Sequence, residues 1–174
     1  MNPADDIIVF LNPGEYFVGD ARHRIRTLLG SCVSITLWHP ERRVGAMSHF
    51  LLSERSSKVI GPLDARYGKE ALSLMLMDLT RQGVDPTDCQ AKIFGGGDMF
   101  PQHSGMANAG QVGRRNGEAA RSLLEAQGIR VCSESLFGVG HRKIMFDVRS
   151  GHVWARQVKP ADAVLKNHQR GTPT

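Results

Sequence analysis

Two alternating apolar runs joined by a short polar break constrain this chain more than any other feature. In residues 33–38, Val33, Ile35 and Leu37 alternate with Ser34, Thr36 and Trp38. Residues 44–52 form a second run, small at Gly45 and Ala46 and then apolar. Period-two alternation of β-branched and aromatic residues is the pattern of a half-buried strand. The break, His39-Pro40-Glu41-Arg42, has the composition of a turn. Together they predict an antiparallel hairpin with a four-residue loop over 39–42. That loop sets Trp38 against Arg43, and continuing the ladder sets Cys32 opposite His49. Opposed residues of an antiparallel pair project to one face with their side chains within reach. The hairpin thus predicts a thiol and an imidazole on one face of a sheet, a placement that a slip of one residue would destroy.

Along the rest of the chain, Ile7-Ile8-Val9-Phe10 reads as a short strand stopped by Asn12-Pro13-Gly14, and Glu15 to Val18 as a second. Arg22 to Arg26 is a basic approach to the thiol stretch. Ser53 to Ala65 is a polar loop. A helix is predicted over 66–81, where Leu72, Met75, Leu76 and Leu79 recur at helical spacing and Gln82-Gly83 supplies the stop. That Met-rich stripe is core packing rather than a ligand surface. A strand over 90–94 ends in Gly95-Gly96-Gly97, and residues 98–111 read as a loop. A second helix spans 113–127, with Ala120, Leu123 and Leu124 on its buried face and Gly128 after it. Residues 129–136 form a strand, and 142–148 and 152–158 a hairpin around Ser150-Gly151. One domain over 1–159 is expected, with a polar tail at 160–174.

Composition narrows the class. A chain of 174 residues that is 41% hydrophobic can bury one core, and with 6% aromatics that core is mostly aliphatic and Met. No basic-then-apolar leader opens the sequence, and Asp78 stops its Leu74-Met75-Leu76-Met77 run far short of a membrane span. Three cysteines are too few for a disulfide scaffold, so a reducing, cytoplasmic setting is expected. The net charge of +5 is spread without a run of five or more basic residues. It suits a soluble basic surface or an acidic partner. With no zinc-finger spacing, aromatic RNA-binding signature or helix-turn-helix, nucleic acid is not expected.

Cys32 is the residue that could carry chemistry. Buried cysteines are mostly inert, the reading given to Cys89 and Cys132. Cys32 differs in following Gly30-Ser31, an approach that turns the backbone tightly and can aim N–H groups at a reacting oxygen. A nucleophile and a packed core thiol stand equal on spacing alone. His49 is the matching base, against the plain alternative of a strand histidine bonded to a carbonyl. His141 is a reserve base, His39 a turn residue, His23 and His168 exposed, and His103 a loop residue. Cys32, His39 and His49 lack a fourth ligand and any CxxC or HxxxH spacing, so no metal is expected. Gly95-Gly96-Gly97-Asp98 lacks the Lys-Ser/Thr of a P-loop, which leaves a tight loop of close backbone approach. No cofactor is expected.

Leu29-Gly30-Ser31-Cys32-Val33, followed by Val44 to Leu52, resembles the active-site segment of the CheD family, the chemoreceptor glutamine deamidases of bacterial chemotaxis. The likeness continues in Lys92-Ile93-Phe94-Gly95-Gly96, in Val112-Gly113-Arg114-Arg115-Asn116, and in Gly138 to Phe146 with Ser150 to Val153. It covers about residues 12–158, and several motifs occur in order. The family often has Ala-Asn after Gly-Gly, where this chain has Gly97-Asp98. The resemblance implies an α+β fold, a layered α/β/β sandwich with mixed and antiparallel sheets. It also implies a papain-like Cys-His site similar to that of the cytotoxic necrotizing factor toxins. Carried over, Cys32 is the nucleophile, His49 the base and Thr27 the upstream threonine, with Gly30 and Ser31 in the oxyanion loop. The implied reaction converts chemoreceptor Gln to Glu through a Cys thioester, releasing ammonia. Chemoreceptor cytoplasmic domains are the implied substrate and a CheC-type phosphatase an implied partner. An interaction module and a transglutaminase-like acyl transfer are the competing readings.

Overall fold

The computed structural model describes residues 5–58, 60–101 and 111–159. Among the described residues, nine strands form two mixed sheets in an α+β fold. The strands are β1 (Ile7–Phe10), β2 (Tyr16–Gly19), β3 (His23–Leu29), β4 (Val33–His39), β5 (Val44–Ser48), β6 (Gln90–Gly95), β7 (Arg130–Leu136), β8 (His141–Asp147) and β9 (Val153–Val158). The helices are α1 (Gly68–Arg81) and α2 (Gln111–Ala126), with a 3-10 turn at Pro86–Asp88. One sheet runs β1-β3-β8-β9 and the other β2-β5-β4-β6-β7; β1–β3 and β6–β7 are parallel and the other pairs antiparallel.

Two cores follow from the alternation along the strands. Val33, Ile35 and Leu37 of β4 pack with Met75 and Leu79 of α1 and Ala120 and Leu124 of α2. Met47 of β5 and Phe94 of β6, on the opposite face, pack with Ile25 and Leu29 of β3 and Phe146 of β8. The helices therefore cover one face of the five-stranded sheet and the four-stranded sheet covers the other. Each fully buried Leu, Ile or Met side chain contributes about 1.5–3 kcal/mol of transfer free energy. The expected helices appear with their stops: Gly83 and Gly128 follow them at φ +75° and +66°, a conformation that suits glycine. The predicted hairpin over 142–158 is β8–β9, and the Gly95-Gly96-Gly97 loop is a tight backbone crossing.

Two corrections concern the strands that carry the site. Trp38 pairs with Gly45 and His39 with Val44. The loop therefore has four residues but occupies 40–43 rather than 39–42, with Arg43 at φ +48°. Phe50 and Val33 exchange both backbone hydrogen bonds, 3.0 and 3.1 Å. The register is thus displaced by two residues from the expected one, so Ser34 rather than Cys32 stands opposite His49. Because strand side chains repeat with period two, Cys32 and His49 stay on one face, as diagonal neighbours. The second correction is β3. His23 to Leu29 is a full strand with Ile25, Thr27 and Leu29 buried between the sheets and Arg26 and Leu28 exposed. Gly30-Ser31-Cys32 carries the chain from one sheet to the other. His103, His168 and the expected tail at 160–174 lie outside the described residues.

Candidate active site between the two sheets

His49 leaves the end of β5 with its backbone tied to the turn between β1 and β2. Its N–H donates to the Glu15 carbonyl at 3.0 Å, and its carbonyl accepts from Gly14 N–H at 2.8 Å. The side chain points between the sheets and the residue is 2% exposed. Across the gap, Thr27 of β3 places Oγ1 2.7 Å from His49 Nδ1 and 2.8 Å from the Leu11 carbonyl. A threonine hydroxyl has one hydrogen and a carbonyl can only accept, so Thr27 donates to Leu11. It must then accept from His49, which assigns the imidazole proton to Nδ1 and leaves the Nε2 lone pair free. Burial lowers the His49 pKa from its ordinary value to about 4, although the Leu11 carbonyl and the Glu15 charge pull the other way.

Cys32 is half-buried and packs against the core between the sheets, the face His49 also occupies. Its loop is clamped through its carbonyls. Gly97 N–H donates to the Gly30 carbonyl and Gly96 N–H to that of Cys32, both at 2.9 Å. Asn116 Nδ2 of α2 donates to the Ser31 carbonyl at 3.1 Å and to that of Leu51 at 2.7 Å. With these carbonyls turned inward, no backbone carbonyl among the described residues accepts from the N–H of Ser31 or Cys32.

The glycine run makes this approach possible. A Cβ on Gly95, at φ +111°, would lie 2.2 Å from the Cys32 carbonyl oxygen, and one on Gly96 would lie 2.5 Å from that of Gly113. The buried Arg142 guanidinium of β8 braces the run, donating to the Gly95 carbonyl at 3.0 Å, to Ser135 Oγ at 3.1 Å and to the Phe137 carbonyl.

Burial pushes the Cys32 thiol above its ordinary pKa, with its own backbone N–H opposing. A raised thiol and a lowered imidazole keep the proton on sulfur at neutral pH. Cys89 is buried and pushed up to about 11. Cys132 is the exposed extra residue of a bulge in the β6–β7 pairing. His141 shares the outward parity of Lys143 and Met145 on β8, away from the inner face. His39 Nδ1 accepts from Arg42 N–H in the 40–43 loop. His23, expected to be exposed, is largely covered beside Asp20 and the Phe17 ring.

Asn116 and Arg142 escaped sequence reasoning as individual site residues, yet both carry a signal. Asn116 falls on the buried stripe Gly113, Asn116, Gly117, Ala120, Leu124 of α2. Arg142 shares the inward alternation of Ile144 and Phe146 on β8. A polar group on a buried stripe has a partner to satisfy. Ser34, opposite His49, is fully buried, and its hydroxyl has no hydrogen-bond partner among the described residues.

Fold and site together define a two-sheet α+β protein that gathers a thiol, an imidazole of fixed tautomer and a hydroxyl between its sheets. Comparison with known proteins gives the family. Residues 51–157 match the family model for CheD chemotactic sensory transduction. The chain is 63% identical over 157 residues to a probable chemoreceptor glutamine deamidase CheD 2 of Albidiferax ferrireducens, covering 88% of this chain and 89% of that protein. It is 46% identical over 159 residues to a probable chemoreceptor glutamine deamidase CheD 3 of Dechloromonas aromatica, covering 91% and 92%. The chain belongs to the CheD family. The family-model match begins just past His49. A match over 88% of 174 residues necessarily spans Thr27, Cys32 and His49 as well.

Proposed function

We propose that this chain is a chemoreceptor glutamine deamidase in which Cys32 is the nucleophile, His49 the general base and acid, and Thr27 the residue that orients His49. One observation carries the assignment of roles. The Thr27 hydroxyl is committed to the Leu11 carbonyl, so it accepts the Nδ1 proton of His49 and leaves Nε2 as the basic atom on the face that Cys32 shares. The relatives' names, with their coverage of this chain, support the substrate.

The resting state favours a neutral pair, so attack and proton transfer go together. Cys32 Sγ bonds to the carboxamide carbon of a substrate Gln as its proton passes to His49 Nε2. The N–H groups of Ser31 and Cys32, beside Gly30, receive the negative oxygen of the tetrahedral intermediate. His49 then gives its proton to the departing nitrogen, ammonia leaves, and a thioester remains. Water, deprotonated by His49, adds to the thioester; the thiol is released and Gln has become Glu. Thr27 fills the third-group role of a triad, which makes the arrangement papain-like in kind. A chain working this way acts in the cytoplasm on chemoreceptor cytoplasmic domains, and a CheC-type phosphatase fits as a second partner.

Incubation with a chemoreceptor cytoplasmic fragment tests the reading. Mass spectrometry should find a gain of about one mass unit at particular Gln residues, with equimolar ammonia and no added amine. A reaction that needs an added amine would instead mean acyl transfer. Full receptor or CheC binding by a Cys32→Ala protein, with no turnover by the wild type, would mean an interaction module.

A further inference from the structure

The outer face of the four-stranded sheet is a feature that the chemistry above leaves unused. Helices cover the five-stranded sheet, and no described element covers this one. Strand register lays its outward residues in rows. Phe10, Arg26, Met145 and Trp154 form one row across β1, β3, β8 and β9; Leu28, Lys143 and Arg156 form the next. Phe10 is 55% exposed, Leu28 46% and Trp154 53%. Arg26, Lys143, Met145, Trp154 and Arg156 surround an open depression of about 340 Å³.

The charge of this face is one-sided. Arg26, Lys143 and Arg156 are exposed and form no ion pair among the described residues. The neighbouring carboxylates are buried and engaged: Asp6 binds Arg24 and Arg149, and Asp147 holds Ser150 and the Arg149 N–H. A second copy would bring cations against cations. A depression walled by Trp154 takes a protruding side chain, which a flat lipid surface does not offer. Four strands measure about 14 Å across, and a helix with its side chains about 10–12 Å.

We infer that this face is an exosite that holds an acidic, amphipathic helical segment of the protein substrate and so delivers its glutamine to the thiol loop. The inference rests on the deamidase reading for the identity of the substrate. β3 supplies the connection, because its outward Arg26 and Leu28 run directly into Gly30-Ser31-Cys32. Four strand residues from Arg26 to Gly30 span about 13 Å. That is about nine residues of helix. The acidic residues that bind here therefore lie two to three turns from the target glutamine. Charged rows of this kind act mainly on encounter and on KM, and their effect fades with salt.

The test reverses the charge with R26E/K143E/R156E and compares two substrates: a chemoreceptor cytoplasmic fragment and a short Gln peptide without acidic residues. The expected result is a ten- to hundredfold fall in kcat/KM on the fragment, carried by KM, with peptide kinetics unchanged. The wild type's loss of fragment affinity between 0.05 and 0.5 M salt should shrink in the variant. Unchanged fragment kinetics would overturn the exosite, and so would an equal loss on both substrates. If the variant lost only its binding to phosphatidylglycerol vesicles, the face would be a membrane surface and the inference would fall. Fragment binding by the Cys32→Ala protein, followed by fluorescence anisotropy, should weaken on charge reversal. That measurement reads the exosite without turnover, so it separates failure of this inference from failure of the deamidase reading.

Discussion

Cys32 and His49 share one face of the five-stranded sheet but are held there by different means. The thiol loop is fixed by backbone sterics: its carbonyls accept from Gly96, Gly97 and Asn116, and Gly95 leaves no room for a Cβ. The histidine ring is fixed by one hydroxyl reaching over from the other sheet. Backbone packing of the first kind has few alternatives, so changes around it act on the fold. A single side-chain hydrogen bond has chemical alternatives, so changes around it act on protonation and rate. The comparison separates residues that place the reaction from residues that tune it.

The largest effect belongs to the atom that reacts. Cys32→Ala should lower deamidation at least ~1000-fold, because the covalent route is removed. Its melting temperature should stay near that of the wild type, since the loop is clamped through carbonyls that the substitution keeps. Retained ammonia release would remove Cys32 from the mechanism. Gly95→Ala should do the opposite, destabilising the fold by about 3 kcal/mol or more through strain at positive φ and collision with the Cys32 carbonyl. Wild-type stability in urea unfolding would show that sterics do not hold the loop.

His49 offers a pH test of the tuned half. Its pKa is about 4 when folded, against an unfolded value of 6.5. A group depressed in this way lets the unfolded state bind more protons between those values. Stability is therefore full above pH 6.5 and declines as pH falls toward 4. The size of the decline is about 3 kcal/mol. His49→Gln should remove that part of the acid sensitivity and cost at least ~100-fold in rate. Identical pH profiles in the two proteins would mean that His49 is not held neutral by burial.

The sequence carried much of this site, for reasons that also explain its gaps. The hairpin register was legible only to within two residues, since Pro40 to Arg43 and His39 to Arg42 are equally plausible four-residue loops. The shared face of Cys32 and His49 survived because a shift of two preserves side-chain parity. β3 was legible in the alternation of Ile25, Thr27 and Leu29 with Arg24, Arg26 and Leu28, but its charges read as a basic approach. The contact of Thr27 with His49 was not legible from local pattern, because the two residues belong to different sheets and meet only through sheet packing. The family resemblance named Thr27; only the fold supplies its hydrogen bonds.

Two hydroxyls flank His49, and they give the finest version of the comparison. Thr27 Oγ1 is fully used, donating to Leu11 and accepting from Nδ1. Ser34 Oγ, directly across the strand pair, is buried without a partner among the described residues. Thr27→Val keeps the shape and strands both a carbonyl and a ring N–H in the interior. It should cost about 2 kcal/mol of stability. The rate should fall ~10-fold or more as the imidazole loses its assigned tautomer, while Thr27→Ser, which keeps the hydroxyl, should recover most of both. Ser34→Ala removes a hydroxyl that gains nothing from the fold, so stability should hold or rise by up to about 1 kcal/mol. Its deamidation rate should remain within a few-fold of the wild type. If Ser34→Ala instead loses as much as Thr27→Val in the same unfolding and rate measurements, the imidazole is held from both sheets. The assignment of its orientation to Thr27 alone would then fail.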